Sequence, residues 1–315
     1  MLSRRHLRIK VFQALYSYFQ AEEPNMNKYE KDLFTSIHKF YDSYLLTLLL
    51  LIEFNESARL TAIDAKQRYF PSEDITDTST KFIDNLVLQK LAANTQLELL
   101  SKQRKISWQK DIEVVRKWLA QLRKTDEFRN YISGKSDYAA DLEFVSFIVK
   151  KFLAANESFN HLMEEKNLFW VDDKSLLIPM VIKTLKLFTE EAEGEKVDLL
   201  RPLHDKEDDE AFIQELFRKT IVHDEELSKS IADKTKNWEL ERIALTDVIL
   251  MKMALTEILQ FSFIPIKVSI NEYIEISKDY STPKSKTFIN GVVDKIVDDL
   301  KAEGKIRKTG KGLIN

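Results

Sequence analysis

The chain has 315 residues, 44% of them hydrophobic and 31% charged, with only six glycines, six prolines and no cysteine. Few breakers and many charges predict a large, mostly helical core, and the missing cysteines exclude disulfides, thiolate metal sites and cysteine nucleophiles. A net charge of −3 excludes polyanion binding by bulk charge, so any nucleic-acid contact must come from local clusters.

The chain opens MLSRRHLRIKVFQALYSYFQ. Leu7, Val11, Ala14 and Tyr18 form one helical stripe, widened by Phe12, Leu15 and Phe19. Ser3 can cap a helix that begins at Arg4. Gln13, Ser17 and Gln20 interrupt the apolar run, and no small-residue cleavage site follows, so this is not an export signal. Further helical periodicity covers residues near 28–70, 79–104 and 107–130. YLLTLLLLIEF, from Tyr44 to Phe54, is about half the length of a membrane span and is bracketed by Asp42 and Glu53. It reads as a core helix, with no membrane partner and a cytoplasmic location expected.

FPSEDITDTS (70–79) and SGKSDY (133–138) are turn-rich. KQRKISWQKDIEVVRKWLAQLRK (102–124) mixes acids with its bases and reads as a solvated helix face carrying Trp108 and Trp118. EEAEGEKVDLLRPLHDKEDDE (190–210) reads as an acidic linker. A weak internal repeat is visible at a shift of 68. It lays DLEFVSFIVKKF (141–152) over DEAFIQELFRKT (209–220) and Trp170 over Trp238, and suggests a duplicated helical unit.

The last third has the clearest local grammar. SINE (269–272) reads as a capping box, with Ser269 as cap and Glu272 reaching back. Thr282 reads as an N-cap with Pro283 in the first helical position. Gly304 reads as the stop. Gly291, inside that helix, is expected to admit a close neighbouring helix. Lys267, Asn271 and Glu275 read as a polar edge. The tail KIRKTGKGLIN is expected to fray.

No catalytic constellation emerges: there is no G-x-G-x-x-G, Walker loop, G-x-S-x-G or H-E-x-x-H. His6, His38, His161, His204 and His223 are scattered, and no two stand at i, i+4. Neither an enzyme, a metal nor a cofactor is expected.

Charge placement is more informative. Arginines in a first helical turn oppose the macrodipole, at about 0.3–1 kcal/mol each. A phosphate at that end reverses the sign, because amides, dipole and guanidinium groups then act on one anion. Arg4, Arg5 and Arg8 therefore mark either a solvated basic terminus or a phosphate arm. Lys284 and Lys286, just after Thr282-Pro283, pose the same choice. Phe288, one turn on, is either core or a base-stacking residue.

Two stretches carry a family likeness. SRRHLRIKVFQALYSYFQ resembles the arginine-rich first helix of the NusB family of transcription antitermination factors. IPIKVSINEYIEISKDYSTPKSKTFINGVVDKI resembles that family's C-terminal signature. The likeness covers about the first 20 and the last 110 residues. It implies an all-α fold of packed helical bundles, here with an expanded helical middle. The corresponding division is an arginine-rich helix at 1–20, a helical insertion at 21–207, a C-terminal bundle at 208–304 and a basic tail at 305–315.

The resemblance further implies a non-enzymatic factor of ribosomal RNA operons. It would bind boxA-like single-stranded RNA together with a small-subunit ribosomal protein, within the transcription elongation complex. Carried over by motif, Arg4, Arg5, Arg8, Lys284, Lys286 and Phe288 fall at RNA contacts. Tyr16 and Asp247 fall where the family meets its ribosomal partner. The competing expectation is a helical scaffold that has lost RNA binding and assembles proteins through its middle.

Overall fold

The computed structural model describes residues 2–67, 79–235 and 243–313, and among these only helices, turns and loops occur. The all-α expectation holds. The chain forms two compact units, residues 1–37 with 203–315, and residues 38–202. Residues 21–37, assigned by sequence to the insertion, thus belong with the termini.

In the first unit α1 spans Arg4–Gln20 and α2 starts at Met26. After the middle unit come α10 (Lys206–Val222), α11 (Asp224–Lys234), α12 (Leu245–Gln260), α13 (Ile266–Tyr280) and α14 (Ser285–Ala302). Helix α12 is the hub. It packs against α1, α10, α11, α13 and α14, and every residue from Asp247 to Ile258 is buried. Such an enclosed helix is mostly apolar, and its buried charges are paired: Lys252 with Asp224, and Glu257 with Arg8.

The second unit takes α2 from His38 to its end at Gln67. It continues with α3 (Leu86–Ala92), α4 (Thr95–Arg104), α5 (Ile112–Arg123), α6 (Asp126–Ser133), α7 (Tyr138–Phe147), a π-helical turn (Ile148–Leu153), α8 (Glu157–Lys166) and α9 (Trp170–Leu185). The apolar run is core: Tyr44, Leu45, Leu48, Leu50, Leu51 and Phe54 are fully buried. No described helix is long and apolar enough to cross a membrane.

Several local expectations need correction. The 79–104 and 107–130 periodicities are each broken in two, by Ala93–Asn94 and by Lys124–Thr125, because Asn94 and Thr125 cap new helices. Trp108 and Trp118 do not sit on a solvated face. They are buried edge to face, 5.8 Å apart, and the aromatic chain continues through Phe159 to Trp170. The Trp108 indole donates to the Leu46 carbonyl at 2.8 Å, which satisfies the one polar group such burial would strand.

The acidic segment after α9 is no free linker either. Lys90 Nζ donates to the Thr189 and Ala192 carbonyls, and Asn94 Nδ2 to those of Gly194 and Val197, each at 2.8 Å. A Cβ at Gly194 would stand 2.3 Å from the Lys90 carbonyl oxygen, so only glycine lets this loop lie on α3. The 70–78 loop lies outside the described residues.

The C-terminal grammar is partly displaced. α13 begins at Ile266, so Ser269 and Glu272 lie inside it rather than forming its cap. α14 begins at Ser285, two residues beyond the position expected from Thr282-Pro283, because Pro283 and Lys284 occupy a turn closed by Ser285 N–H on the Thr282 carbonyl at 2.9 Å. Gly304 does stop α14. It has φ +65°, Gly304 N–H reaches Lys301 O at 3.0 Å and Lys305 N–H reaches Leu300 O at 2.9 Å, which is the Schellman pattern.

Among the described residues the tail is tied down rather than loose. Thr309 N–H donates to the Ser262 carbonyl at 3.1 Å and Lys308 Nζ to the Phe261 carbonyl at 2.9 Å. Burial pushes the Lys308 ammonium down to about 8.

No neighbour approaches Gly291: it is exposed, and a Cβ there would meet nothing within 4 Å. The glycine therefore only weakens the helix. Gly291→Ala is expected to stabilise the first unit by about 1 kcal/mol, read as a higher urea midpoint.

The repeat register is matched by the helices. Shifting by 68 places α7 with its π turn on α10 and α8 on α11. The cap Asp137 falls on the cap Asp205, and the buried pairs Asp141 and Asp209, Phe144 and Phe212, Phe159 and Leu227, Met163 and Ile231 coincide. Trp238 lies outside the described residues.

Candidate nucleic-acid interface

The N-terminus of α1 is capped as expected. The Ser3 hydroxyl accepts from His6 N–H at 3.5 Å, and His6 Nδ1 accepts from Ser3 N–H at 3.0 Å. The imidazole takes the part that glutamate plays in a usual capping box. Burial and the neighbouring Arg5 lower its pKa, which keeps an acceptor nitrogen available.

Each mis-signed arginine meets an acid from elsewhere in the first unit. Arg4 pairs with Asp208 and, through Nε at 3.1 Å, with Asp209, both in the first turn of α10. Acids there suit that helix dipole, and they neutralise the cations at the start of α1. The Arg4 guanidinium also lies 4.4 Å from the centre of the Phe212 ring. Arg5 grips Glu272 with a fork, Nε and Nη2 at 2.9 and 2.8 Å. The first cause of the depressed Glu272 pKa is this hydrogen bonding.

Arg8 is different. Only 3% of its side chain is exposed, and it forks onto the wholly buried Glu257 with both bonds at 2.7 Å. Ser269 Oγ and Tyr273 Oη donate to the same carboxylate at 2.7 and 3.0 Å. Glu257 thus accepts four hydrogen bonds, the full capacity of a carboxylate. The fork and this charge hold the Arg8 pKa above its ordinary value against desolvation. The Tyr273 phenol is pushed well up by burial, then by Glu257. Arg8 is an anchor beneath the arm; the accessible arginines are Arg4 and Arg5, with 35% and 43% of their side chains exposed.

Arg4, Arg5 and Arg8 line a groove of roughly 1210 Å³, walled by Phe212 and Glu215 of α10 and by the loop from Phe261 to Pro265. Each guanidinium has five donors, and Arg4 and Arg5 each spend two on the contacts above. Carboxylate forks of this kind fix the guanidinium plane while leaving donors for an anion.

The second basic site lies outside the groove lining. Lys284 and Lys286 are exposed, with no ion pair among the described residues, and Phe288 is half-buried. Asp247, placed by its motif at a partner contact, stands in the first turn of α12. Its carboxylate is buried and accepts from the Ser281 and Ser285 hydroxyls, so it pins the turn that carries Lys284. Tyr16 is 39% exposed, its ring 6.4 Å from Phe12, which in turn meets Tyr280 edge-on at 5.2 Å. Nothing local in the sequence pairs Asp208, Asp209, Glu257 and Glu272 with the arginines, or marks Phe212 and Phe263 as the groove wall.

A model of the NusB family matches residues 179–298. The chain is 44% identical over 139 residues to the transcription antitermination protein NusB of Salinibacter ruber, covering 42% of this chain and 86% of that one. The chain belongs to the NusB family. The NusB of Chloroherpeton thalassium is 41% identical over 104 residues, covering 33% of this chain and 49% of its own length. That of Geobacter sulfurreducens is 36% identical over 118 residues, covering 36% and 86%. No solved structure matches the chain. The NusB model covers the signature on α13 and α14, while the arginine helix α1 precedes it.

Proposed function

We propose that this chain is a transcription antitermination factor of ribosomal RNA operons. It binds boxA-like single-stranded RNA in the cytoplasm, together with a small-subunit ribosomal protein, within the elongation complex, and it performs no catalysis. The observation that carries the reading is the pair Arg4 and Arg5, part-exposed on one groove and oriented by Asp208, Asp209 and Glu272. Their donors take phosphates, and Lys284, Lys286 and Phe288 supply a second contact along the strand. Arg8 acts by holding α1 in place. Tyr16 is the residue offered to the ribosomal protein.

The test is a titration of boxA-like RNA at several salt concentrations, with and without the ribosomal protein. Affinity should fall with salt, and Arg4→Ala with Arg5→Ala should weaken binding by about tenfold or more. The double variant should also flatten the log–log salt slope by about 1.4, since each charge on a single strand contributes roughly 0.7. RNA binding equal to the parent's would overturn the arm. Tight protein association indifferent to both arginines would favour the scaffold.

A further inference from the structure

Phe263 is 71% exposed on the wall of the arginine groove, and nothing above gives it a task. It sits in the short connection between α12 and α13, sequence FSFIP, a turn closed by Ile264 N–H on the Phe261 carbonyl at 3.2 Å. Phe261 turns inward and meets Phe212 edge-on at 5.2 Å; Phe263 turns out. A connection this short needs no phenylalanine at its outer position, and an exposed aromatic gains nothing from water.

The C-terminal tail braces this loop. Thr309 bonds Ser262 twice, backbone N–H to carbonyl and hydroxyl to hydroxyl, both at 3.1 Å, and Lys308 Nζ bonds the Phe261 carbonyl. Gly310, at φ +52°, lies beside the Phe263 ring, where a Cβ would stand 3.4 Å from Cδ1. A residue with a side chain would be strained there and would crowd the ring. The tail thus fixes the loop on one edge and leaves most of the ring in solvent. Arg307, two residues before Thr309, is exposed and has no ion pair among the described residues.

We propose that Phe263 is a base-stacking platform: an unpaired nucleobase of single-stranded RNA lies on its ring while the neighbouring phosphates reach Arg4 and Arg5. This rests on the RNA-binding reading above and adds a contact to it. Stacking on an aromatic face tolerates every base and brings no charge, whereas the arginines contribute charge and little base contact. The two contributions therefore separate by salt dependence. The brace explains why a basic tail is tied to a loop instead of being left free.

The experiment uses the full chain and a short boxA-like RNA, unlabelled and with 2-aminopurine at successive positions. Phe263→Ala should weaken binding about tenfold with an unchanged salt slope, and should abolish the quenching seen at one 2-aminopurine position. Phe263→Trp should keep the affinity and show its own fluorescence quenched on RNA. Parental affinity and quenching in Phe263→Ala would overturn the proposal. So would an effect confined to binding of the ribosomal protein, which would make the ring a protein contact. If the parent chain binds no RNA at low salt, the RNA reading itself falls and takes the platform with it. The side chain is exposed, so the melting of Phe263→Ala should match the parent's.

Discussion

Arg8→Ala should cost the first unit about 3–5 kcal/mol, the range for breaking a buried ion pair from one side. The loss arises because Glu257, wholly buried, keeps only Ser269 and Tyr273 as donors once the fork is gone. The pair joins three helices, α1 through Arg8, α12 through Glu257, and α13 through the two hydroxyls. Arg8→Met combined with Glu257→Leu should recover much of the loss, since an apolar replacement leaves no stranded charge. Urea unfolding followed by circular dichroism, with exchange of the α12 amides, measures both. A single variant within 1 kcal/mol of the parent would mean that water replaces the guanidinium.

The pH dependence has a definite sign. The folded Arg8 pKa is raised, so its contribution is present at every pH below the ordinary arginine value and survives the accessible range. Glu272 is lowered from 4.5. Its contribution is present above 4.5 and is lost as the pH falls through the folded value, which releases Arg5.

Asp247→Ala should cost about 3 kcal/mol or more, because two bonds to a charged group, worth about 1.5–3 kcal/mol each, are lost. It should also weaken RNA binding, because the turn from Ser281 to Ser285 sets where Lys284 and Lys286 stand. Asp247→Asn keeps one acceptor oxygen and should show a smaller change in both. The same variant decides between two roles. A residue at a protein interface would leave the urea midpoint unchanged and reduce affinity for the ribosomal protein alone.

The reach of the sequence ended where partners became distant. Ser3 and Gly304 were legible because a cap needs only its own turn. The apolar run from Tyr44 was legible because length and flanks decide it. Arg4 and Arg5 were legible as mis-signed, yet their acids lie more than 200 residues away, and no local pattern pairs them. SINE misled for the same reason: Ser269 and Glu272 have capping-box spacing, but Glu257 and Arg5 claim them from other helices. Gly291 has the look of a packing glycine, but whether a neighbour approaches depends on a helix the local sequence does not contain. Trp108 and Trp118 look solvated among lysines because long basic side chains surround a stripe that faces inward. The clamp that Asp247 makes was not legible, because Ser281 and Ser285 lie more than 30 residues away.

The shared register of the two helical units bears on how the chain reaches its native state. Helices that nucleate at Asp137 and at Asp205 present similar faces, so in the collapsed chain each can dock where the other belongs. Mispairing between like modules is a characteristic trap of repeated architectures. The two stretches carry the same buried aspartate, answered by different partners. Asp209 answers Arg4, whereas Asp141 answers the Tyr131 hydroxyl and the Leu86 amide. An exchanged helix would bring Ala140 to the place of Asp208 and leave Arg4 with one acid instead of two.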